Sequence, residues 1–351
     1  MYKLKKYIKS LLCLSLVFII VGCSQNTEKN EVIEQQDPIK RTEMLMGTVI
    51  SVTLYDSTDE SILDNVFNKV KELEETFSIN ETGTEVDKIN DNAGIAPVKV
   101  SDDTIKVVKD GIYYSELSHG KFDITIGPLV KLWNIPDATN IPTQEEIDAL
   151  IPLTNYKDIV VDEANNTVFL TKSGMMLDLG GIAKGYTADV ISKILTDEGV
   201  KSAIIDLGGN IFAHGEKISS DAWKIGIQNP FSTRGEIVGA ISVKNKSIVT
   251  SGIYERYIEV DGVKYHHILN PETGYPYDND IAGITIISDK SITGDALSTS
   301  VFALGMAEGI KFVESLDGVD AIFVTKNNEI YVTSGIKDNF ELRDENFKLI
   351  N

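Results

Sequence analysis

The segment Met175-Met176-Leu177-Asp178-Leu179-Gly180-Gly181-Ile182-Ala183-Lys184-Gly185 constrains this chain more than any other. An apolar run meets a double glycine and passes into a stretch whose apolar positions, Ile182, Tyr186, Val190, Ile191 and Ile194, recur at helical spacing. The pattern predicts a strand, a tight turn and a helix. Paired glycines at such a turn let the backbone approach a ligand closely, and the helix start offers unpaired N–H groups to an anion. Asp178 lies inside the apolar run, where a carboxylate is costly to bury without a donor or a cation. A plain turn with Asp178 as a cap accounts for the same residues. The string recurs as Asp206-Leu207-Gly208-Gly209.

The rest of the chain reads as mixed α+β, with strands and helices alternating and no solenoid-type repeat. Order is expected from residue 41. Thr48–Tyr55 is a β-branched strand, and Ile62, Val66, Val70 and Leu73 have helical spacing behind the candidate caps Ser57–Asp59. Helices are expected at Thr104–Leu117, around Thr143–Leu150, after Met175–Leu179 and running to Glu198, from Asp295 and at Ala307–Leu316. Strands are expected at Thr167–Leu170, Met175–Leu179, Ser202–Asp206, 223–228, 237–243, 256–260, Gly283–Ser288, 320–325 and 329–333. No linker-like break follows residue 40, so residues 41–351 are read as a single bilobed domain.

The N-terminus carries its own message. Lys3, Lys5, Lys6 and Lys9 precede an apolar run from Leu11 to Val21, too short for a bilayer but suited to a signal peptide. The run ends Ile20-Val21-Gly22-Cys23-Ser24, which resembles a bacterial lipobox. Residues 1–22 are therefore read as a lipoprotein signal peptide, Cys23 as the lipid-modified first residue, and 23–40 as a flexible polar tether. An ordinary secretory signal is the alternative. The chain's 2 cysteines are both in this region, so the remainder offers neither a disulfide nor a thiol nucleophile. With 33 Lys+Arg against 53 Asp+Glu, the net charge of −20 argues against nucleic acid and against polybasic adhesion to lipid. These features predict an extracytoplasmic protein anchored to the cell membrane by lipid.

Three further segments carry candidate chemistry. Ser291-Ile292-Thr293-Gly294-Asp295-Ala296-Leu297-Ser298-Thr299 places Asp295 and Thr299 four residues apart, on one helical face. A carboxylate with a hydroxyl is a hard-oxygen half-site for Mg²⁺, whereas an Asp at a helix start also favours the helix dipole. Tyr265-His266-His267-Ile268-Leu269-Asn270-Pro271-Glu272-Thr273-Gly274-Tyr275-Pro276 holds two of the 4 histidines, and adjacent strand residues point opposite ways, so one of them at most lines a site. His119-Gly120-Lys121-Phe122-Asp123 could stack on and hydrogen-bond a planar ligand, or serve as packing and a cap. GxSxG, HExxH, GxxxxGK[ST] and CxxC are all absent, which removes the common hydrolase, nucleotide and thiol motifs.

In this order the segments resemble the ApbE family of FAD:protein FMN transferases. The matching strings are Met46-Gly47-Thr48, Gly120–Trp133, Asp178–Tyr186, Asp206–Gly209, Tyr265–Pro276 and Asp295–Thr299. The resemblance implies an ApbE-type fold and an enzyme that splits the pyrophosphate of FAD, joins FMN through its phosphate to a Thr or Ser hydroxyl of an acceptor protein, and releases AMP. It implies Mg²⁺ held by the side chains of Asp295 and Thr299 and the carbonyl of Gly181. It places Met46, Asn80, Lys121, Phe122, Asp123, Asp178, Lys184, His267 and Leu269 around FAD. Asn80 stands where many members carry an aromatic residue, so that stacking contact is missing or supplied elsewhere. His267, or a carboxylate near the phosphates, would take the acceptor's proton, with Asp295 beside it at the metal. The implied partner is an extracytoplasmic redox subunit. A Mg²⁺-dependent FAD pyrophosphatase or an FAD-scavenging lipoprotein remains the competing reading.

Overall fold

A computed structural model describes residues 37–350. The signal peptide, Cys23 and most of the tether lie outside the described residues. The described part is one compact unit built on a nine-stranded sheet. Its strand order is Ile39–Leu45, Thr48–Leu54, Ser202–Leu207, Asn210–Gly215, Lys246–Gly252, Ile281–Ser288, Asp320–Thr325, Glu329–Val332 and Lys348–Leu349. All neighbours are antiparallel except the last pair. Seven α-helices accompany it: α1 Glu60–Phe77, α2 Glu85–Asp91, α3 Asp102–Leu117, α4 Gly127–Trp133, α5 Gln144–Leu150, α6 Ala183–Asp197 and α7 Ser291–Glu314.

The central strand Ile281–Ser288 is buried at every position, as a strand covered on both faces must be. Ile284 and Ile286 join the helix-side core with Ala296, Leu297, Val301 and Phe302 of α7. Ile287 points the other way, into a core shared with the small sheet of Trp223–Gln228, Ile237–Val243 and Phe340–Leu342. A second helix-side core joins Val66, Phe67 and Val70 of α1 to Ala188, Ile191 and Leu195 of α6 over Ile50, Val52, Ala203 and Ile205.

Several expected elements differ in ways that bear on the site. The first strand of the described residues starts at Ile39 and turns at Met46-Gly47, both at positive φ, into Thr48–Leu54. Helix α2, between α1 and α3, was not expected. The run Met175–Leu179 is not a strand. The side chain of Asn90 takes the hydrogen bonds of Leu177, accepting from its N–H at 2.7 Å and donating to its carbonyl at 3.1 Å. Strand pairing is reduced to a single bridge between Met176 and Ile126. The two helices expected beyond Asp295 are one element that starts at Ser291 and is broken by Gly305, whose φ is 74°.

Candidate functional site

A cavity of about 1060 Å³ opens between the helix-side segments and the small sheet, and the chemistry-bearing segments converge on it. Lys121, Phe122, Asp123, Asp178, Gly181, Lys184, His267, Leu269, Asp295 and Thr299 all line it. Two expected residues do not. Met46 occupies the hairpin turn, with its N–H held by Glu74 Oε1 at 2.5 Å and its side chain packed on the core; its neighbours Gly47 and Thr48 reach the cavity instead. Asn80 is exposed in the loop after α1, and its N–H donates to Ser78 Oγ.

Asp295 lies one turn inside α7 and is 5% exposed, so it does not cap its own helix. Its Oδ2 accepts the N–H of Gly185 at 2.8 Å, and its Oδ1 lies 4.0 Å from Lys184 Nζ. Gly185 is in the first turn of α6, where an N–H has no acceptor within the helix, and Asp295 supplies one. The Gly181 carbonyl precedes the helix and has no hydrogen-bond partner among the described residues. Thr299 is in the same condition. Ser298 and Ser300 donate their hydroxyls to the carbonyls of Asp295 and Ala296, but the Thr299 hydroxyl has no partner among the described residues and faces the cavity. Gly181 is close by, since a Cβ built on it would lie 3.6 Å from Thr299 Oγ1 and 3.0 Å from Phe122 Cε2. A carbonyl, a carboxylate oxygen and a hydroxyl thus belong to residues that line one cavity, a donor set suited to a hard divalent cation that keeps several waters. No cluster of three His, Cys, Asp or Glu that could hold a metal exists among the described residues.

Asp178 accepts the N–H of Gly180 at 2.7 Å. Burial raises its carboxyl above the usual range, opposed by that N–H and by the charges of Arg256 and Lys184. Asp123 is more fully occupied: Oδ1 accepts from the N–H and hydroxyl of Thr125, and Oδ2 accepts from the N–H of Tyr156. Its carboxylate braces the loop that presents Phe122. Lys121 pairs with Glu272 at 3.0 Å, and Lys184 donates to the carbonyl of Gly180 at 2.9 Å.

The two histidines part as strand geometry requires. His266 is buried, with Nε2 on the carbonyl of Tyr277 and Nδ1 accepting from Ile268 N–H. His267 lines the cavity, and its Nδ1 lies 3.2 Å from the carbonyl of Arg256, so Nδ1 carries the proton and Nε2 keeps its lone pair. Burial, and then the Arg256 guanidinium, lower this imidazole to about 3, so it is neutral at physiological pH.

Sequence reasoning missed other lining residues, Gly226, Gln228, Phe231 and Arg234 together with Tyr254, Glu255 and Arg256. None of these stood in a motif that had been singled out. Burial raises Glu255 to about 7, against the pull of Lys184 and Arg256 and with a further push from Asp295. A Glu-Arg pair next to a predicted strand was a visible signal, but nothing in the sequence tied it to this cavity.

The ApbE family model matches residues 46–323, and the chain belongs to that family. A Klebsiella pneumoniae protein named FAD:protein FMN transferase is 39% identical over 308 residues, spanning 88% of this chain and 95% of that one. A Treponema pallidum protein of the same name is 35% identical, spanning 88% and 90%. Among solved structures, the ApbE protein of Thermotoga maritima superposes with a TM-score of 0.80 at 31% identity, covering 88% of this chain and all of that one. The flavin transferase ApbE of Vibrio cholerae superposes with a TM-score of 0.75 at 25% identity, covering 86% and 99%. The fold and the enzyme class, a transferase, follow from this membership.

Proposed function

We propose that this chain transfers FMN from FAD to a Thr or Ser hydroxyl of an acceptor protein, with Mg²⁺ as its metal. The observation that carries the reading is the set of three neighbouring oxygens, on Gly181, Asp295 and Thr299, which the fold leaves free of hydrogen bonds or holds with one oxygen to spare. The family's named transferases and the size of the cavity support FAD as the substrate.

In the proposed reaction the hydroxyl oxygen of the acceptor bonds to the FMN phosphorus, the bridging P–O bond of the pyrophosphate breaks, and AMP leaves with that oxygen. Mg²⁺ held by Gly181, Asp295 and Thr299 would supply charge neutralisation on the phosphate oxygens. Lys184 and Arg256 add positive charge at the cavity wall, in a chain whose net charge of −20 otherwise repels an anion. Phe122 and Asp178, which line the cavity, would hold the planar parts of FAD. The acceptor hydroxyl is a weak nucleophile and gives up its proton to a neighbouring base. His267 offers a free Nε2, and Glu255 offers a carboxylate poised near neutrality.

The leader and Cys23 support a lipid-anchored enzyme on the outer face of a bacterial cell membrane, acting on extracytoplasmic redox subunits. The test is to incubate the protein with FAD, MgCl₂ and secreted redox proteins of the same cell, and to look for covalent flavin fluorescence on a denaturing gel. Flavin on a Thr- or Ser-containing peptide supports the reading. Free FMN and AMP with no labelled protein would make the enzyme an FAD pyrophosphatase, in which water is the nucleophile.

A further inference from the structure

Four of the helices are capped by a residue of their own. Asp59, Thr84, Ser101 and Thr143 accept first-turn N–H groups of α1, α2, α3 and α5. Helices α6 and α7 have no cap of their own, since Ile182 and Lys290 at the capping positions make no side-chain hydrogen bond. Each takes a carboxylate from the other. Asp189 of α6 accepts the N–H groups of Ser291 at 2.7 Å and Ile292 at 3.0 Å, one on each oxygen. Asp295 of α7 accepts the N–H of Gly185 in the first turn of α6. On both helices the donor and the acceptor are four residues apart, Gly185 with Asp189 and Ser291 with Asp295, so the exchange runs along the facing sides. Only glycine allows the approach at position 185, where a Cβ would lie 2.4 Å from the Ser291 carbonyl oxygen and 2.7 Å from Asp295 Cβ.

We infer that Asp189 is a positioning residue for the oxygen cluster. By capping α7 from α6, it holds Asp295 and Thr299 beside Gly181. The inference rests on the metal reading proposed above. Asp189 touches none of the three oxygens and acts through the seating of α7. Burial holds its carboxyl above the usual range, at about 6, despite the two N–H bonds. The fold therefore gains little from that charge itself, and its value lies in where it sets the helix.

The experiment measures FAD binding by flavin fluorescence polarisation as MgCl₂ is titrated, with hydrogen exchange followed in parallel. Wild type is expected to bind FAD more tightly as Mg²⁺ rises. Asp189→Ala should raise the Mg²⁺ concentration at half effect about tenfold, equivalent to about 1.4 kcal/mol, and speed amide exchange at Ser291 and Ile292. Asp189→Asn keeps the shape and one acceptor, and should fold even if the alanine variant does not; its midpoint should rise about threefold. Asp59→Ala, which uncaps α1 away from the cavity, should lower stability and leave the Mg²⁺ midpoint unchanged. Asp189 variants within about twofold of the wild-type midpoint overturn the inference. A wild type indifferent to Mg²⁺ removes the metal reading, and this inference with it.

Discussion

Substituting Asp295 separates its two jobs, because each of its oxygens has a different neighbour. Oδ2 holds the buried N–H of Gly185, and Oδ1 faces Lys184 and the cavity. Asp295→Ala leaves that N–H without a partner, which costs about 1–3 kcal/mol of stability, and it also removes the carboxylate from the oxygen cluster. Asp295→Asn keeps an acceptor for Gly185 and the side-chain volume, so its stability should stay within about 1 kcal/mol of wild type. Both variants lose the only charged oxygen of the three, so FMN transfer should fall by orders of magnitude in each, and raised Mg²⁺ should restore only part of it. Thr299→Ala removes a neutral oxygen that water can replace, so its loss should be smaller and more fully rescued. Thr299→Ser keeps the oxygen and should be nearly active. The assays are urea denaturation of the apo-protein and transfer rate against Mg²⁺ concentration for all four variants. Matching Mg²⁺ curves for wild type and Asp295→Asn would take Asp295 out of the metal site. Equal instability of the Asn and Ala variants would refute its role as a cap for α6.

Asp178→Asn keeps an acceptor for the N–H of Gly180, so the apo-protein should keep its thermal midpoint while FAD binding, read by fluorescence, weakens about tenfold or more; a loss of several kcal/mol in the apo-protein would assign Asp178 to the fold instead. Glu255, raised to about 7, is protonated below that pH and cannot then accept the acceptor's proton. If it is the base, transfer at saturating FAD should rise as pH passes upward through about 7, and Glu255→Gln should abolish that limb of the pH–rate profile; persistence of the limb would remove Glu255 as the base, while a profile flat through pH 7 in the wild type would point to His267, which is neutral above about 3. Mass spectrometry of the protein purified from membranes should show a diacylated Cys23 and no residues 1–22. A Cys23→Ser protein still held at the membrane would contradict that anchor.

The parts of the site that lie on short contiguous strings were legible in the sequence. Asp178, Gly181 and Lys184 share one turn, and Asp295 and Thr299 share one helical face, so chain connectivity alone brings each set together. Periodicity placed α1 and α3 for the same local reason. What depends on distant partners was not legible. Met175–Leu179 has the composition of a strand, but Leu177 bonds to the side chain of Asn90 and Asp178 to the carbonyl of Ile124, a choice only the tertiary fold makes. The start of α7 was misplaced by a turn because its cap, Asp189, lies on another helix. Met46 and Asn80 were placed by resemblance, and a hairpin turn and an exposed loop keep them off the cavity wall. Glu255 and Arg256 entered unannounced, since their place is set by the hairpin Tyr257–Val260 and Val263–His266 and not by any local pattern.

The export proposed for this chain sets α7 a second task. Its best 18-residue window has a mean hydropathy of 1.3, which by length and composition alone is enough for a membrane span. A segment of that kind, threaded through a secretion channel, invites the channel to release it sideways into lipid. In the folded protein Gly305 divides the helix into Ser291–Leu304, about 21 Å long, and a shorter remainder of about 14 Å, and neither reaches across a hydrocarbon layer of about 30 Å. The first piece also carries Asp295, a carboxylate that is costly to place in lipid. The charge that makes this helix useful at the site would thus also weigh against its release into the membrane on the way out.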